Sequence, residues 1–506
     1  MSQLDWIVLV LYLSLVAGVG FWVGRGQKDS DDFLLGGRSI PWWAALMSLV
    51  ATEISAATFL GAPEQGYRRD LTYLQFAIGS IAARFFLANY FITVYYQAGV
   101  TTVYEFLAER FGTTTQKTTA GLFLFGRLFA DGSRLFIAAI TIEVITGLPI
   151  HLSIVLLAFV TICYTAVGGI KAVIWTDVMQ AVVLVGAGFV LLGSLYADAG
   201  LGLGQIYSEL KQAGKLVLID TTGNPLKQPY HALAAILGGF FLTMATHGTD
   251  HDMVQRLLTC KDDAGSRRST WMSGLIGVVI TTLFMLVGFM LFIHLSHLPG
   301  NAKLAVIAGQ LAEQGKNGHY LLFYALEALP AGIIGLVVAG VLAAAMSSLS
   351  SAFNAMTATF ISDFYRPLHR DLSGPGELRV SRIVTLVTGS LVAGIALIVA
   401  DYYTSHPETD LLSLALGVMT FFYGGLLGIF LVALFSKTRG NDASNVAAAI
   451  VSTGLVFYLS RYTDLAWPWY IIVGTTVATF ISAAFGRTPD TKKPRSTEVP
   501  APQNEA

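Results

Sequence analysis

The sequence predicts an all-α integral membrane protein of about thirteen transmembrane helices, and three observations lead there. Of its 506 residues, 54% are apolar and only 12% are charged, about half the charged share of an average soluble domain. Mean hydropathy is +0.63. The apolar residues also gather into stretches of about 20, the length at which a helix crosses a bilayer. These stretches fall near 3–23, 40–66, 71–98, 117–147, 151–168, 173–197, 230–250, 270–297, 319–362, 377–402, 410–436, 441–460 and 467–486.

Lys and Arg choose the orientation, because they collect in cytoplasmic loops. With the N-terminus outside, 20 of the 31 basic residues fall on the inner side and 8 on the outer, leaving Arg84, Arg127 and Arg134 within the membrane. A multi-pass protein of the plasma membrane is expected, N-terminus outside and C-terminus cytoplasmic. The first stretch has no basic leader and no small-residue cleavage site, so it reads as a retained helix. Cys163 lies on a helix and Cys260 in an internal loop, which argues against a disulfide. The longest polar pieces are an external loop at 198–229 and a tail at 487–506, rich in Pro, Thr and charge and expected to be disordered. A net charge of −1 says nothing useful about partners; no nucleic acid is expected among them.

The second stretch cannot be an uninterrupted helix. Ala51-Thr52-Glu53-Ile54-Ser55-Ala56-Ala57-Thr58 puts hydroxyls and a carboxylate mid-membrane, where a charge must face a cavity or a partner. A break there frees backbone carbonyls next to a water-filled site. The other reading is a kinked packing helix with Glu53 as a proton carrier.

Further along, Arg127, Asp131 and Arg134 share one helical face by their i, i+4, i+7 spacing. Either Asp131 neutralises Arg134, or Arg134 presents its planar donor fork to a carboxylate. Gly168-Gly169 and Lys171 read as a tight inner turn, with Asp177 about two turns into the next helix; that acid can pair with Lys171 or balance a bound cation. His247, Asp250, His251 and Asp252 resemble metal ligands by type but lack metal-site spacing, and read as a solvated helix end. No nucleotide loop, nucleophile elbow or zinc-hydrolase motif is present, so no enzyme is predicted.

The stretch from Gly335 to Arg366 places Ser347, Ser348, Ser350 and Ser351 within five residues of a strongly apolar segment. At 3.6 residues per turn, Ser347, Ser350 and Ser351 share a face and Ser348 lies beside it. Neutral oxygens on one side of a buried helix suit a small hard cation; equally, hydroxyl and small residues let membrane helices pack closely.

Together these residues resemble the sodium:solute symporters over nearly the whole chain. The resemblance rests on Asp32-Phe33, Gly36-Gly37-Arg38-Ser39, Ala51-Thr52-Glu53-Ile54-Ser55, Gly168-Gly169 with Trp175-Thr176-Asp177, Gln255-Arg256, and Ala344 to Asp363. It implies a LeuT-like five-plus-five inverted repeat with broken helices. Here the repeats would cover 40–197 and 230–436, after an extra helix and internal loop at 1–39 and before extra helices at 437–486. It implies a sodium site made by the carbonyls of Ala51, Ile54 and Ala344 and the hydroxyls of Ser347 and Ser348. A second would use Ser347, Ser350, Ser351 and Asp177, hence two Na+ ions per cycle, in a carrier expected to work as a monomer.

For the solute, the positions of polar sugar-binding groups in the family hold Ala77, Thr243 and Thr246, which weakens a sugar. Glu53 and Arg134-Leu135-Phe136 match the proline branch. Arg134 also aligns with an arginine that grips a carboxylate in the sialic acid branch, while the run from Tyr164 to Asp177 is similar to the iodide, vitamin and monocarboxylate branch. The expectation is a sodium-coupled symporter importing a small carboxylate-bearing solute, an amino acid such as proline or an organic anion, by alternating access. Its substrate would sit beside Glu53, Ser55, Thr58, Tyr73 and Arg134. The alternatives are a sodium/sugar or sialic acid symporter, or a channel.

Overall fold

The structure, a computed structural model, describes residues 1–24, 30–299, 302–313, 320–369, 375–406 and 411–486. The tail expected to be disordered, 487–506, lies outside the described residues. The principal helices are α1 (Gln3–Gly24), α2 (Trp42–Glu53), α3 (Ala56–Arg68), α4 (Gln75–Ala98), α5 (Thr113–Thr146), α6 (Ile150–Cys163), α7 (Gly169–Ala199), α8 (Ala232–Gly248) and α9 (His251–Leu258). They continue with α10 (Asp263–His297), α11 (Ile333–Thr359), α12 (Pro375–Ser405), α13 (Leu411–Phe435), α14 (Asp442–Tyr462) and α15 (Pro468–Ala484).

Eight described helices are long and apolar enough to cross a membrane alone, and three bent pairs raise the number to eleven. The predicted thirteen also counts the shorter α15 and treats α5 and α6 as two passages, which their 113° turn supports. That turn is built on Gly147 in the left-handed region (φ 72°) and Pro149 before the first residue of α6, a helix stop followed by a helix start. The predicted stretch at 319–362 is instead two helices, Tyr320–Ala328 and α11, with Pro330 and Gly332 between them breaking the ladder.

Two spans are broken by short non-helical joints. Between α2 and α3, Ile54 (φ −88°, ψ 82°) and Ser55 (φ −82°, ψ 177°) leave the helical region and the axis bends by 59°. The amide of Ser55 turns to the carbonyl of Glu53 at 3.2 Å and that of Thr58 to Ser55 at 2.9 Å. The carbonyls of Ala51 and Ile54 therefore lose the i+4 amides that would have occupied them. Between α8 and α9 the bend is 57°. There two tyrosines satisfy the released carbonyls: the Tyr95 hydroxyl donates to Gly248 (2.5 Å) and that of Tyr104 to Thr249 (3.0 Å).

Glycines bring the helices around the breaks unusually close. A Cβ on Gly239 of α8 would stand 3.0 Å from the Cα of Phe76, and one on Gly288 of α10 would stand 2.9 Å from the Cα of Pro63. With no hydrophobic drive between helices in lipid, such small-residue contacts are what dispersion needs. They hold α4 on α8 and α3 on α10. At the centre lies α11, the most enclosed of the eight single spans, with 89% of its apolar window buried and its flank along α7.

Candidate functional site

A cluster of hydroxyl and carbonyl oxygens gathers around the carboxylate of Asp177 where α2, α7 and α11 meet. Ser347 and Ser48 donate to the two carboxylate oxygens of Asp177, each at 2.6 Å. Ser348 donates to the carbonyls of Thr52 (2.9 Å) and Ala344 (3.1 Å). The hydroxyl of Thr52 lies 3.5 Å from that of Ser347 and 3.4 Å from that of Ser351. All of these side chains are buried. Of the predicted cation ligands, Ala344, Ser347, Ser348, Ser351 and Asp177 thus come together against the span whose break releases Ala51 and Ile54. Ser350 is buried too, but its hydroxyl donates to the carbonyl of Ser347 in its own helix (3.3 Å).

Sequence reasoning missed Ser48 and Thr52. Their signal was there: they sit i, i+4 on α2, so one face of the broken span carries two hydroxyls, which meet α7 and α11 respectively. The pairing of Asp177 with Lys171 does not form, since Lys171 stands 3.8 Å from Asp32.

Beside this cluster is a cavity. Glu53, Ser55, Thr58, Tyr73 and Arg134, the five residues predicted to face solute, all line it, together with Ala77, Ser80, Arg84, Thr243, Thr246, His247 and Met419. Of the two sequence readings of Arg134, the pairing with Asp131 forms. Its Nη1 donates to Asp131 at 3.3 Å and its Nη2 makes only a weak contact with the thioether of Met419, Sδ at 3.6 Å, and both Arg134 and Met419 line the cavity. Glu53 is ion-paired to Arg84, whose guanidinium also donates to Ser273. Its other oxygen stands 3.8 Å from His247 Nε2. Arg84 lies 31 residues from Glu53 along the chain, a separation that no helical periodicity connects.

The His247–Asp252 segment is not solvated, as expected from sequence, but buried. His251, Asp250 and Asp252 are fully enclosed. The segment folds inward because α9 follows a break, and its acids find guanidinium partners: Arg127 pairs with Asp131, Asp250 and Asp252, and Arg256 with Asp252. Tyr423 donates to Asp250 at 2.5 Å. Among the described residues, no group of three or more His, Cys, Asp or Glu side chains has the geometry to hold a metal ion. Cys163 and Cys260 are free.

Two broken spans that line one cavity, beside a cluster of hydroxyl, carbonyl and carboxylate oxygens, are the arrangement of a secondary carrier. The comparisons make the class specific. Residues 33–451 match the sodium:solute symporter family, and the chain belongs to that family. It is 26% identical over 480 residues to the sodium/sialic acid symporter NanT of Aliivibrio fischeri, covering 95% of this chain and 92% of the relative. It is 30% identical over 437 residues to the human sodium-coupled monocarboxylate transporter 1, covering 85% and 69%. Among solved structures, the substrate-bound outward-open state of a Na+-coupled sialic acid symporter superposes with a TM-score of 0.83 at 25% identity, covering 96% of this chain and 97% of that one. The chain is therefore a sodium-coupled membrane symporter with a LeuT-type fold, and not an enzyme.

Proposed function

We propose that this carrier imports a small carboxylate-bearing solute, an amino acid such as proline or an organic anion, together with two sodium ions. The observation that carries the reading is Arg134, buried in the cavity wall with only one edge of its guanidinium held by Asp131. A planar fork of donors in a place of low dielectric is matched to a carboxylate, and both hydrogen bonds and charge contribute. Glu53, Ser55, Thr58 and Tyr73 would surround the rest of the solute.

One sodium would bridge Ala51, Ile54 and Ala344 carbonyls with Ser347 and Ser348. The other would be held at Asp177 by Ser347, Ser350 and Ser351. Charge supports the second ion. Asp131, Asp177, Asp250 and Asp252 outnumber Arg127, Arg134 and Arg256 by one, and all seven are buried, so a monovalent cation restores neutrality where burial makes charge costly. Sodium bound between the broken span and the serine helix would hold the outward-open arrangement, and rocking of the repeats at 40–197 and 230–436 would then expose both cargoes inside. The orientation is N-terminus out and C-terminus in, and the working unit a monomer. An inward membrane potential would add about 2.3 kcal/mol per net charge per 100 mV.

The relatives favour a second reading, sialic acid, which the same Arg134 would also hold by its carboxylate. Uptake into proteoliposomes separates these: proline, monocarboxylates, N-acetylneuraminate and glucose, each with sodium or potassium outside. Sodium-dependent uptake of a carboxylate supports the proposal, sodium-dependent uptake of glucose alone overturns it, and flux without coupling would mark a channel.

A further inference from the structure

We infer that Asp252, held between two arginines, is the positioning residue through which sodium at Asp177 sets the strength of Arg134 towards a carboxylate. The inference rests on the roles proposed above for Asp177 and Arg134. A single line of buried charges joins them: Asp177 Oδ2 lies 3.6 Å from Arg256 Nη2, and Arg256 Nη1 lies 2.8 Å from Asp252 Oδ1. The other Asp252 oxygen pairs with Arg127; Arg127 Nε lies 3.1 Å from Asp131 Oδ2, and Asp131 Oδ1 lies 3.3 Å from Arg134 Nη1. Asp250 and Tyr423 form a side branch on Arg127. Apart from Arg134 at 7%, the members of the line are fully enclosed.

Seven buried charges are a poor way to hold helices together, since apolar side chains of similar volume do so at equal or lower cost. Their value lies in how slowly charge decays without water to screen it. Two of the line's five joints, Asp177–Arg256 and Arg127–Asp131, are also loose. Arg256 Nη2 makes no hydrogen bond among the described residues, and Arg127 Nε and Asp131 Oδ2 face each other without hydrogen-bond geometry.

The sign follows link by link. A cation on Asp177 weakens that acid's hold on Arg256, which turns more fully to Asp252. Asp252, better neutralised, holds Arg127 less; Arg127 leans on Asp131; and Asp131 releases the edge of Arg134 for solute. By linkage, solute on Arg134 tightens sodium by the same factor.

A reporter for the charge at Arg134 needs no knowledge of the solute. Met419→Cys, in a Cys163→Ser background because Cys163 is exposed and Cys260 buried, places a thiol beside Arg134 Nη2. Its reaction rates with a sulfonate-bearing and with a neutral methanethiosulfonate are compared in sodium and in potassium. Sodium should raise the anionic-to-neutral rate ratio at least fivefold, within the usual range for coupled sites. Asp252→Asn should bring that sodium effect to near unity while keeping a preference for the anionic reagent. Should Asp252→Asn fail to fold, Tyr423→Phe removes only a hydroxyl; it leaves Asp250 competing harder for Arg127 and should cut the effect at least twofold. If both variants keep the full sodium effect, the relay is wrong. If Arg134→Gln leaves the anionic preference intact, the fault lies instead with the assignment of Arg134.

Discussion

The hydroxyl of Ser348 donates to the carbonyl of Thr52 across 2.9 Å, fastening the serine helix to the broken span two residues before its break. The contact joins the two elements proposed to share a sodium ion, and it leaves the lone pairs of Ser348 and the carbonyls of Ala51 and Ile54 to face the ion. Replacing Ser347 and Ser348 together with alanine should raise the half-saturating sodium concentration for uptake by at least tenfold, about 1.4 kcal/mol. Sodium titration of uptake checks this, and an unchanged half-saturation would remove these hydroxyls from the ion's shell.

Arg134 predicts a different signature. Its loss should act on solute more than on sodium: Arg134→Gln should weaken carboxylate binding by about 2 to 3 kcal/mol, the scale of a charge-assisted hydrogen bond left unmade. Calorimetric titration of purified protein in saturating sodium measures it. Asp131→Asn, which frees the anchored edge, should instead leave carboxylate binding undiminished or tighten it. Equal losses in the two variants would show that Arg134 serves the fold rather than the solute.

The Glu53–Arg84 pair is set between α2 and α4, and leaving either partner alone in the membrane is costly. Arg84→Met should lower the melting temperature through a loss on the order of 3 kcal/mol, whereas Arg84→Met with Glu53→Gln should recover much of it. Thermal unfolding of the single and double variants decides the matter, and additive losses would mean that the pair is not coupled.

Lys215 donates to the carbonyls of Gly66 (3.1 Å), Tyr67 (2.6 Å) and Arg69 (2.8 Å) at the end of α3, with its ammonium 4.3 Å from the ring centre of Phe292. A lysine from the loop at 198–229 thus closes the C-terminus of the broken span, where positive charge is favoured. Lys215→Met should cost about 1 to 3 kcal/mol and speed amide exchange at 66–69, read by hydrogen–deuterium exchange. Protection equal to the unaltered protein would show that the cap is idle.

Composition and periodicity were enough for the membrane class, for the broken second span and for the serine face of α11, because those are local properties. Hydrophobic length sets whether a helix can cross lipid, and a run of small and hydroxyl residues sets where it cannot stay regular. The run from Ala51 to Ser55 and the spacing of Ser347, Ser350 and Ser351 already contain that information. Apart from Asp131 with its own-helix arginines, the pairing of charges was decided only in three dimensions. Arg84 meets Glu53, Arg256 meets Asp177, and the acids after Thr249 turn inward to Arg127, across separations from 31 to more than 100 residues. A buried charge is stable only where the fold delivers its counter-charge, and no pattern along one helix states which distant helix will do so. The same residues from His247 to Asp252 could have ended a helix in water; the bend between α8 and α9 is what placed them in the core.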